Sequence, residues 1–408
     1  MSFDTDIAIV GGGLNGPALA LALAGAGLDV TLIDAQAAAP RKEDGFDGRS
    51  YALALTSVRM LEGIGVWGAV AEHAQPMLEI KVTDGRAGEG PSPFFMHFDH
   101  AEIEEGPMGH MVEDRHLRRA LMDAVAGTSG ITVMNGTKVT AQAPDGAGIT
   151  LSLAGGTSLR ARLCVGADGR GSGTAVRAGI KRTGWAYGQT ALVCAVSHAL
   201  PHHGIAHQFF MPPGPLAILP LTDNRSSIVW SEMASNAARI HALPDDEYLD
   251  VLRPRFGDFL GEIALAGARY TYPLSLSLAH GMVAERVALA GDSAHGVHPI
   301  AGQGLNAGFR DIAALSEVLI DAQRRGEDFG ASVALQRYQT WRRFDNATLA
   351  LATDSFNRLF SNDNALIRMA RDIGMGVVSS LPGLRRSFIR EAAGLNGDLP
   401  RLMRGLPL

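Results

Sequence analysis

The stretch Gly11-Gly-Gly-Leu-Asn-Gly16 sits directly between an apolar run, Asp6–Val10, and a helix-forming run at 17–27. Few local sequences constrain a fold so strongly. The spacing G-x-G-x-x-G (Gly11, Gly13, Gly16) allows a tight turn, close approach of a pyrophosphate to the backbone, and close helix–strand packing. The helix start then turns free N–H groups and a partial positive charge toward phosphate, and Leu14 and Asn15 belong to the same turn. The next apolar run, 29–34, ends in Asp34, at about the twenty-residue offset of an acid that accepts from a ribose hydroxyl. An acid there suits NAD or the adenosine half of FAD and disfavours the 2′-phosphate of NADP. The loop alone leaves FAD and NAD both open.

At 408 residues the chain is long enough for two domains, or for one with an inserted sheet. With 46% apolar and 19% charged residues it can bury large cores, and a net charge of −6 argues against nucleic acid. Only Cys164 and Cys194 occur, which fits a reducing compartment and a cytoplasmic location. Residues 7–33 are nearly all apolar, but Asp4 and Asp6 precede them, and Asn15, Pro17 and Asp29 interrupt them. Neither a signal peptide nor a membrane span is expected.

Along the chain, 50–67 reads as a helix, 77–112 as short strands with a Gly/Pro-rich loop, and 114–127 as a helix. A small antiparallel unit returns into a buried strand at Leu163–Gly166. Residues 185–280 carry alternating apolar runs, expected to form a separate mixed or antiparallel sheet with one helix near 245–256. A buried strand at 286–291 and a long helix at 304–325 follow, with helices in the remainder.

Two further stretches carry chemistry. Gly166-Ala-Asp-Gly-Arg-Gly-Ser172 places Asp168 at the carboxyl edge of a buried strand, where cofactors lie in parallel sheets. Asp292-Ser-Ala-His-Gly-Val-His-Pro-Ile-Ala-Gly-Gln-Gly-Leu-Asn306 admits three readings. A metal site of Asp292, His295 and His298 lacks a clear fourth ligand. A Ser293–His295 nucleophile pair fails because neighbours so close point apart. A flavin cradle uses more of the residues. Asp292 ends a strand, placed for a sugar-alcohol hydroxyl, and Gly302 and Gly304 let backbone approach a flat ring. The helix starting near Leu305–Asn306 aims its positive end there, stabilising a reduced flavin by up to about 2 kcal/mol.

In order, the Gly11–Gly16 loop with Asp34, "GRSYALAL", "GADGRGS" and "GDSAHGVHPIAGQGLN" resemble the flavin-dependent aromatic hydroxylases typified by para-hydroxybenzoate hydroxylase. The run His298–Gly308 with Asp311 resembles the signature of the ubiquinone-biosynthesis hydroxylases. The likeness covers residues 6 to about 345. It implies an α/β fold: a Rossmann-like FAD-binding domain (1–75, 105–184 and 281–345), an inserted mixed or antiparallel β-sheet substrate domain (76–104 and 185–280), and a helical C-terminal region (346–408). It also implies FAD, O2, and NAD(P)H as a transient co-substrate, since no second Gly-rich loop is present.

By motif, the resemblance has Arg49 and Asp292 hold FAD through its pyrophosphate and ribityl parts, with Asp114 or Arg115 beside the ribityl chain. The N–H groups of Leu305 and Asn306 would meet the flavin C2 carbonyl, Pro299 would line the reaction site, and Asp168-Gly169 would serve both FAD and nicotinamide. The family places an Arg about three residues after the loop serine, whereas here Gly173-Thr174-Ala175 intervene before Arg177. The expected chemistry is oxygen transfer to an aromatic ring through a flavin C4a-hydroperoxide, with Gln208, Phe210, Leu219 and Pro220 as candidate substrate lining and no evident general base. The signature points to a polyprenylated phenol on the way to ubiquinone, with a hydroxylase of a soluble aromatic, an FAD-dependent dehydrogenase or a non-catalytic flavin-binding subunit as alternatives for the same loops. The apolar 191–230 region, with only Arg225 to clamp a carboxylate, agrees with the prenylated phenol. Arginines in 366–404 amid apolar residues suggest a basic amphipathic surface for peripheral contact with the inner membrane. Membership of a biosynthetic complex and a homo-oligomer stay open.

Overall fold

The first strand, β1 (Thr5–Val10), holds Ile7, Ala8 and Ile9 wholly out of solvent, as a strand covered on both faces must. The computed structural model describes residues 2–37, 46, 48–86, 90–296, 303–345 and 381–408. After β1 come α1 (Asn15–Ala24), β2 (Val30–Ile33), β3 (Ser50–Ala54) and α2 (Leu55–Gly63). Then follow β4 (Gln75–Met77), β5 (Glu79–Arg86), β6 (Gly90–Asp99), β7 (Gly109–Glu113) and α3 (Asp114–Gly127). The chain continues through β8 (Ile131–Met134), β9 (Val139–Pro144), β10 (Ile149–Leu153), β11 (Ser158–Gly166) and α4 (Gly173–Arg177). Next are β12 (Arg182–His198), β13 (Ile205–Phe210), β14 (Leu216–Leu221), β15 (Arg225–Met233), α5 (Ala234–His241) and α6 (Asp245–Phe256). β16 (Ile263–Leu265), β17 (Tyr270–Ala279), β18 (Val283–Ala284), β19 (Val287–Leu289), β20 (His295–Gly296) and α7 (Gln303–Arg324) follow, and a helix at Pro382–Ala392 lies near the C-terminus.

The first sheet has the order β18-β19-β11-β1-β2-β8, with β10 and β9 hung from β11. Its four parallel pairings run β19-β11-β1-β2-β8. Register decides what this sheet can do. Val10 pairs with Gly166, and Gly166 with Leu289. The Gly11–Gly16 turn, the Gly166–Ser172 loop and the Asp292 turn therefore leave the sheet side by side at one carboxyl edge.

The second sheet has the order β20-β17-β12-β15-β14-β13-β5-β6, with β16 on β12. It is mixed, because β13 and β5 run parallel. Strand alternation gives it two distinct faces. On the outer face Leu192, Cys194, Leu216, Ile218, Ile228 and Trp230 pack against Ile240, Tyr248 and Leu252 of α5 and α6. Each fully buried aliphatic side chain there contributes roughly 1.5–3 kcal/mol. On the inner face Ala195, Ala206 and Leu221 pack on Met77 and Met111. A third, small sheet, β3-β7-β4, lies beneath that inner face.

Several expectations need correction. Residues 50–67 are not one helix: Ser50–Ala54 form β3, antiparallel to Glu113–Gly109, and only Leu55–Gly63 are helical. Pairing with β7 overrides the local helical pattern. The final strand before the Asp292 turn is only Val287–Leu289, because Gly291, at φ +64°, bends into a 3-10 turn, Gly291–Ser293. The helix α5 was not expected. His298, Pro299, Ile300, Ala301, Gly302 and the tail residues 346–380 lie outside the described residues.

Candidate active site

The three motif glycines of the first turn do different jobs. Gly11, at φ +119°, has no room for a side chain against the Ala167 carbonyl, and a Cβ on Gly16 would collide with the Gly11 carbonyl. A Cβ on Gly13 would meet nothing within 4 Å. Gly11 and Gly16 thus serve the protein's own packing, and Gly13 faces open space before α1. The sequence reading overlooked Gly12. Its N–H donates to Asp34 Oδ2 at 2.6 Å, and Gln36 N–H donates to the other oxygen at 2.7 Å, so the loop itself orients the Asp34 carboxylate. Leu14 is buried at the start of α1 and provides no side-chain cap, so the first-turn N–H groups keep their capacity to bind an anion. The Asn15 side chain is wedged against Gly291 and Gly308, and its Oδ1 is buried without a partner among the described residues.

Beside this turn, four guanidinium groups surround two buried carboxylates. Asp114 receives Arg49 at 3.2 Å, Arg118 at 3.0 Å and the Tyr51 hydroxyl at 2.8 Å. Burial first, then the charge of Asp114, pushes the Tyr51 phenol far above its usual range. Glu113 receives Arg115 Nε at 2.7 Å and Arg225 Nη2 at 2.9 Å. Four cations against these two buried anions and the exposed Asp223, 3.7 Å from Arg225, leave one surplus positive charge to offer a diphosphate.

The second loop turns its acid inward. Asp168 accepts from Ser172 Oγ at 2.5 Å and from the N–H and hydroxyl of Thr174, both at 2.9 Å. Its carboxylate therefore anchors the start of α4, and the backbone around Gly169, at φ +79°, is what the loop offers a ligand. Arg177 instead braces α4 against β9, donating to Thr174 Oγ1 at 3.3 Å and to Gln142 Oε1 at 3.2 Å.

Asp292 remains open to solvent on one side and pairs with Arg170 of the second loop at 3.1 Å. Behind it lies a network with no sequence-derived role. Asp311, on α7, is fully buried and accepts from the Gly291 N–H at 2.9 Å and Arg342 Nε at 2.8 Å, with His295 Nε2 at 2.5 Å. Burial alone would raise its pKa, but His295 and Arg342 outweigh burial and hold the carboxyl down to about 2.

At the start of α7, Asn306 Oδ1 accepts from Ala54 N–H at 2.9 Å and Ser57 Oγ at 2.8 Å, while Nδ2 donates to Ala52 O at 2.7 Å. The side chain thus fixes the helix start against β3, and the N–H groups of Gln303 to Asn306 have no acceptor within the helix. A Cβ on Gly304 would meet nothing within 4 Å among the described residues. The uncapped turn at Gly13, the start of α7, surplus guanidinium charge, and acids at Asp34 and Asp292 fit the adenosine, diphosphate, ribityl and ring parts of FAD.

The inner face of the second sheet faces this region, since Ser227 Oγ lies 2.9 Å from Ser50 Oγ on β3. Gln208, Phe210 and Leu219 share that face with Ala206 and Leu221. Pro220 does not: it alternates with Leu219 and shares the face covered by α5 and α6, which corrects its candidacy as lining.

Residues 4–344 match the family model described as "FAD binding domain". With this site, that match makes the protein an FAD-dependent aromatic-ring monooxygenase, as expected from the motifs. The chain belongs to the FAD-dependent aromatic hydroxylases, in their ubiquinone-biosynthesis branch. It is 45% identical over 406 residues to ubiquinone hydroxylase UbiL of Rhodospirillum rubrum, covering 99% of this chain and 93% of that protein. It is 35% identical over 396 residues to 3-demethoxyubiquinol 3-hydroxylase of Escherichia coli K12, covering 96% and 99%. Its fold is similar to that of p-nitrophenol 4-monooxygenase PnpA from Pseudomonas putida, with a TM-score of 0.80 at 19% identity over 97% and 99% of the two chains.

Proposed function

We propose that this protein hydroxylates the aromatic ring of a polyprenylated phenol in ubiquinone biosynthesis. The observation that carries the substrate class is the fate of Arg225. It is bound to buried Glu113, so the inner face of the sheet has no free guanidinium there for a soluble aromatic acid. The surrounding apolar side chains suit an isoprenoid chain, at about 25 cal/mol per Å² buried. The names of the relatives, which carry ubiquinone chemistry, point the same way.

Bound FAD would supply the activation of O2, one atom of which goes to the ring and the other to water, with NAD(P)H as the transient two-electron donor. The chain's own residues bind and orient. Gly13 and α1 admit the diphosphate beside Arg49, with Arg115 in the same charged cluster. Asp34 accepts from the ribose, Asp292 from the ribityl chain, and Asp168-Gly169 offer backbone. The N–H groups of Leu305 and Asn306 place positive potential at the ring. The second sheet excludes water above it.

For the membrane, the support is apolar rather than basic. Arg385 and Arg390 are paired with Glu102 and Glu105, and Arg401 with Glu317 and Asp321, whereas Leu381 and Leu384 are 50% and 41% exposed. No helix among the described residues is long and apolar enough to cross a membrane. Peripheral contact through the Leu381–Leu384 turn should appear as liposome sedimentation that Leu381→Ser with Leu384→Ser abolishes; unchanged sedimentation refutes it.

The central test is genetic. Deleting the gene should stop ubiquinone synthesis and accumulate a prenylated ring lacking one hydroxyl. Normal ubiquinone, with no redundant hydroxylase present, would refute the assignment and favour a soluble aromatic substrate.

A further inference from the structure

We infer that Gln208 is the specificity-determining residue that recognises the oxygen substituent of the substrate ring. The inference rests on the ring-hydroxylase reading and deepens it, because nothing so far says what would hold the phenol end of a molecule that is otherwise apolar.

The position follows from register. On β13, Ile205, His207 and Phe209 alternate with Ala206, Gln208 and Phe210. Phe209 packs in the core under α5 and α6, while Ala206 and Phe210 pack on the inner face, so Gln208 lies on the inner face too. Its cross-strand neighbours are Val82 on β5 and Ala217 on β14, with Leu219 on the same face. A partly buried carboxamide thus stands among mainly apolar neighbours, with buried Asp84 opposite Phe210 on β5.

The other inner-face polar groups considered have partners. Arg225 is held by Glu113, Ser227 by Ser50, and Gln189 donates to Pro213 O at 2.7 Å. Gln208 has only one long contact, from Nε2 to Leu216 O at 3.4 Å, and its oxygen accepts nothing among the described residues. The side chain is only partly buried, so the amide keeps free hydrogen-bonding capacity that a ligand can take up in place of solvent. A primary amide offers both a donor and an acceptor, so it can accept from a phenol O–H and donate to an adjacent ether oxygen. The ligand class is therefore an uncharged ring bearing at least one oxygen, with a hydrocarbon substituent along Phe210 and Leu219.

The test uses the FAD-loaded enzyme and a matched pair of probes: a short-chain 2-prenylphenol and the same molecule lacking its hydroxyl. Binding is followed through the flavin absorbance. Wild type should prefer the phenol, and Gln208→Leu should retain FAD and melting temperature yet lose about 2- to 12-fold in phenol affinity, the amount one neutral hydrogen bond carries. Affinity for the deoxy probe should be unchanged, and Gln208→Asn should recover part of the preference. Equal binding of both probes by wild type, or an unchanged phenol preference in Gln208→Leu, overturns the inference. The prenylated-substrate reading fails separately, if lengthening the prenyl chain leaves wild-type kcat/KM unaltered while the hydroxyl preference persists.

Discussion

His295 Nε2 lies 2.5 Å from Asp311 Oδ2, and both side chains are almost entirely inside the protein. The bond ties the strand after the Asp292 turn to the third turn of α7, while the same oxygen accepts the Gly291 N–H. The Asp292 turn and α7, two halves of the proposed flavin site, are therefore set by one carboxylate.

Removing that charge should be costly and pH-dependent. Asp311→Asn removes one of the two carboxylates that face buried Arg342, Asp345 at 2.5 Å being the other, and losing that charge-assisted hydrogen bond costs about 1.5–3 kcal/mol. The folded carboxyl sits at about 2 against 3.8 for the free group, so its stabilising contribution is complete above 3.8 and is lost as pH falls toward 2. Urea midpoints measured across that acid range should show the loss in wild type and not in the variant. Parallel curves would contradict the network's role.

The glycine turn predicts opposite phenotypes a few residues apart. Gly13→Val should yield a folded, colourless protein, because only ligand space is filled, whereas Gly16→Val should fail to fold against the Gly11 carbonyl. Circular dichroism with flavin absorbance separates the two. A yellow Gly13→Val protein would show that the diphosphate approaches elsewhere.

Asp292→Ala should weaken FAD binding by roughly 10- to 150-fold, the range spanned by one charge-assisted hydrogen bond. Fluorescence titration of the apoprotein measures it. If FAD affinity holds and a bound zinc is lost instead, the metal reading of this stretch returns.

Glu113→Gln should release Arg225 toward the sheet face. The variant should lose about 1–3 kcal/mol of stability and gain affinity for a small aromatic carboxylate such as 4-hydroxybenzoate, read from the flavin spectrum. No gain would mean that Arg225 does not face the ring pocket.

Local patterns made the nucleotide half of the fold legible. Strand, glycine turn and helix at 5–24 announce themselves within one window, and so do α3 and α7. What stayed hidden depends on distant partners. Ser50–Ala54 is a strand only because Gly109–Glu113 lies beside it. Asp311 has its meaning through Arg342, 31 residues on. The tail arginines Arg385 and Arg390 look unbalanced until Glu102 and Glu105, more than 280 residues earlier, fold against them. Pro220 failed for a subtler reason: an apolar run marks a strand, but which alternate residue faces inward depends on register.

The division of the second sheet into two faces has an evolutionary consequence. Leu216 and Ile218 hold α5 and α6, while Ala217 and Leu219, one residue along, look the other way. Mutational drift at the first set is penalised by unfolding, whatever the substrate. Drift at the second disturbs the smaller cluster around Met77 and Met111 and, on the proposed function, which molecule is accepted. Selectivity and solidity can thus be inherited as partly separate traits from the same few strands, and a lineage can exchange one ring for another without renegotiating the core under α5 and α6.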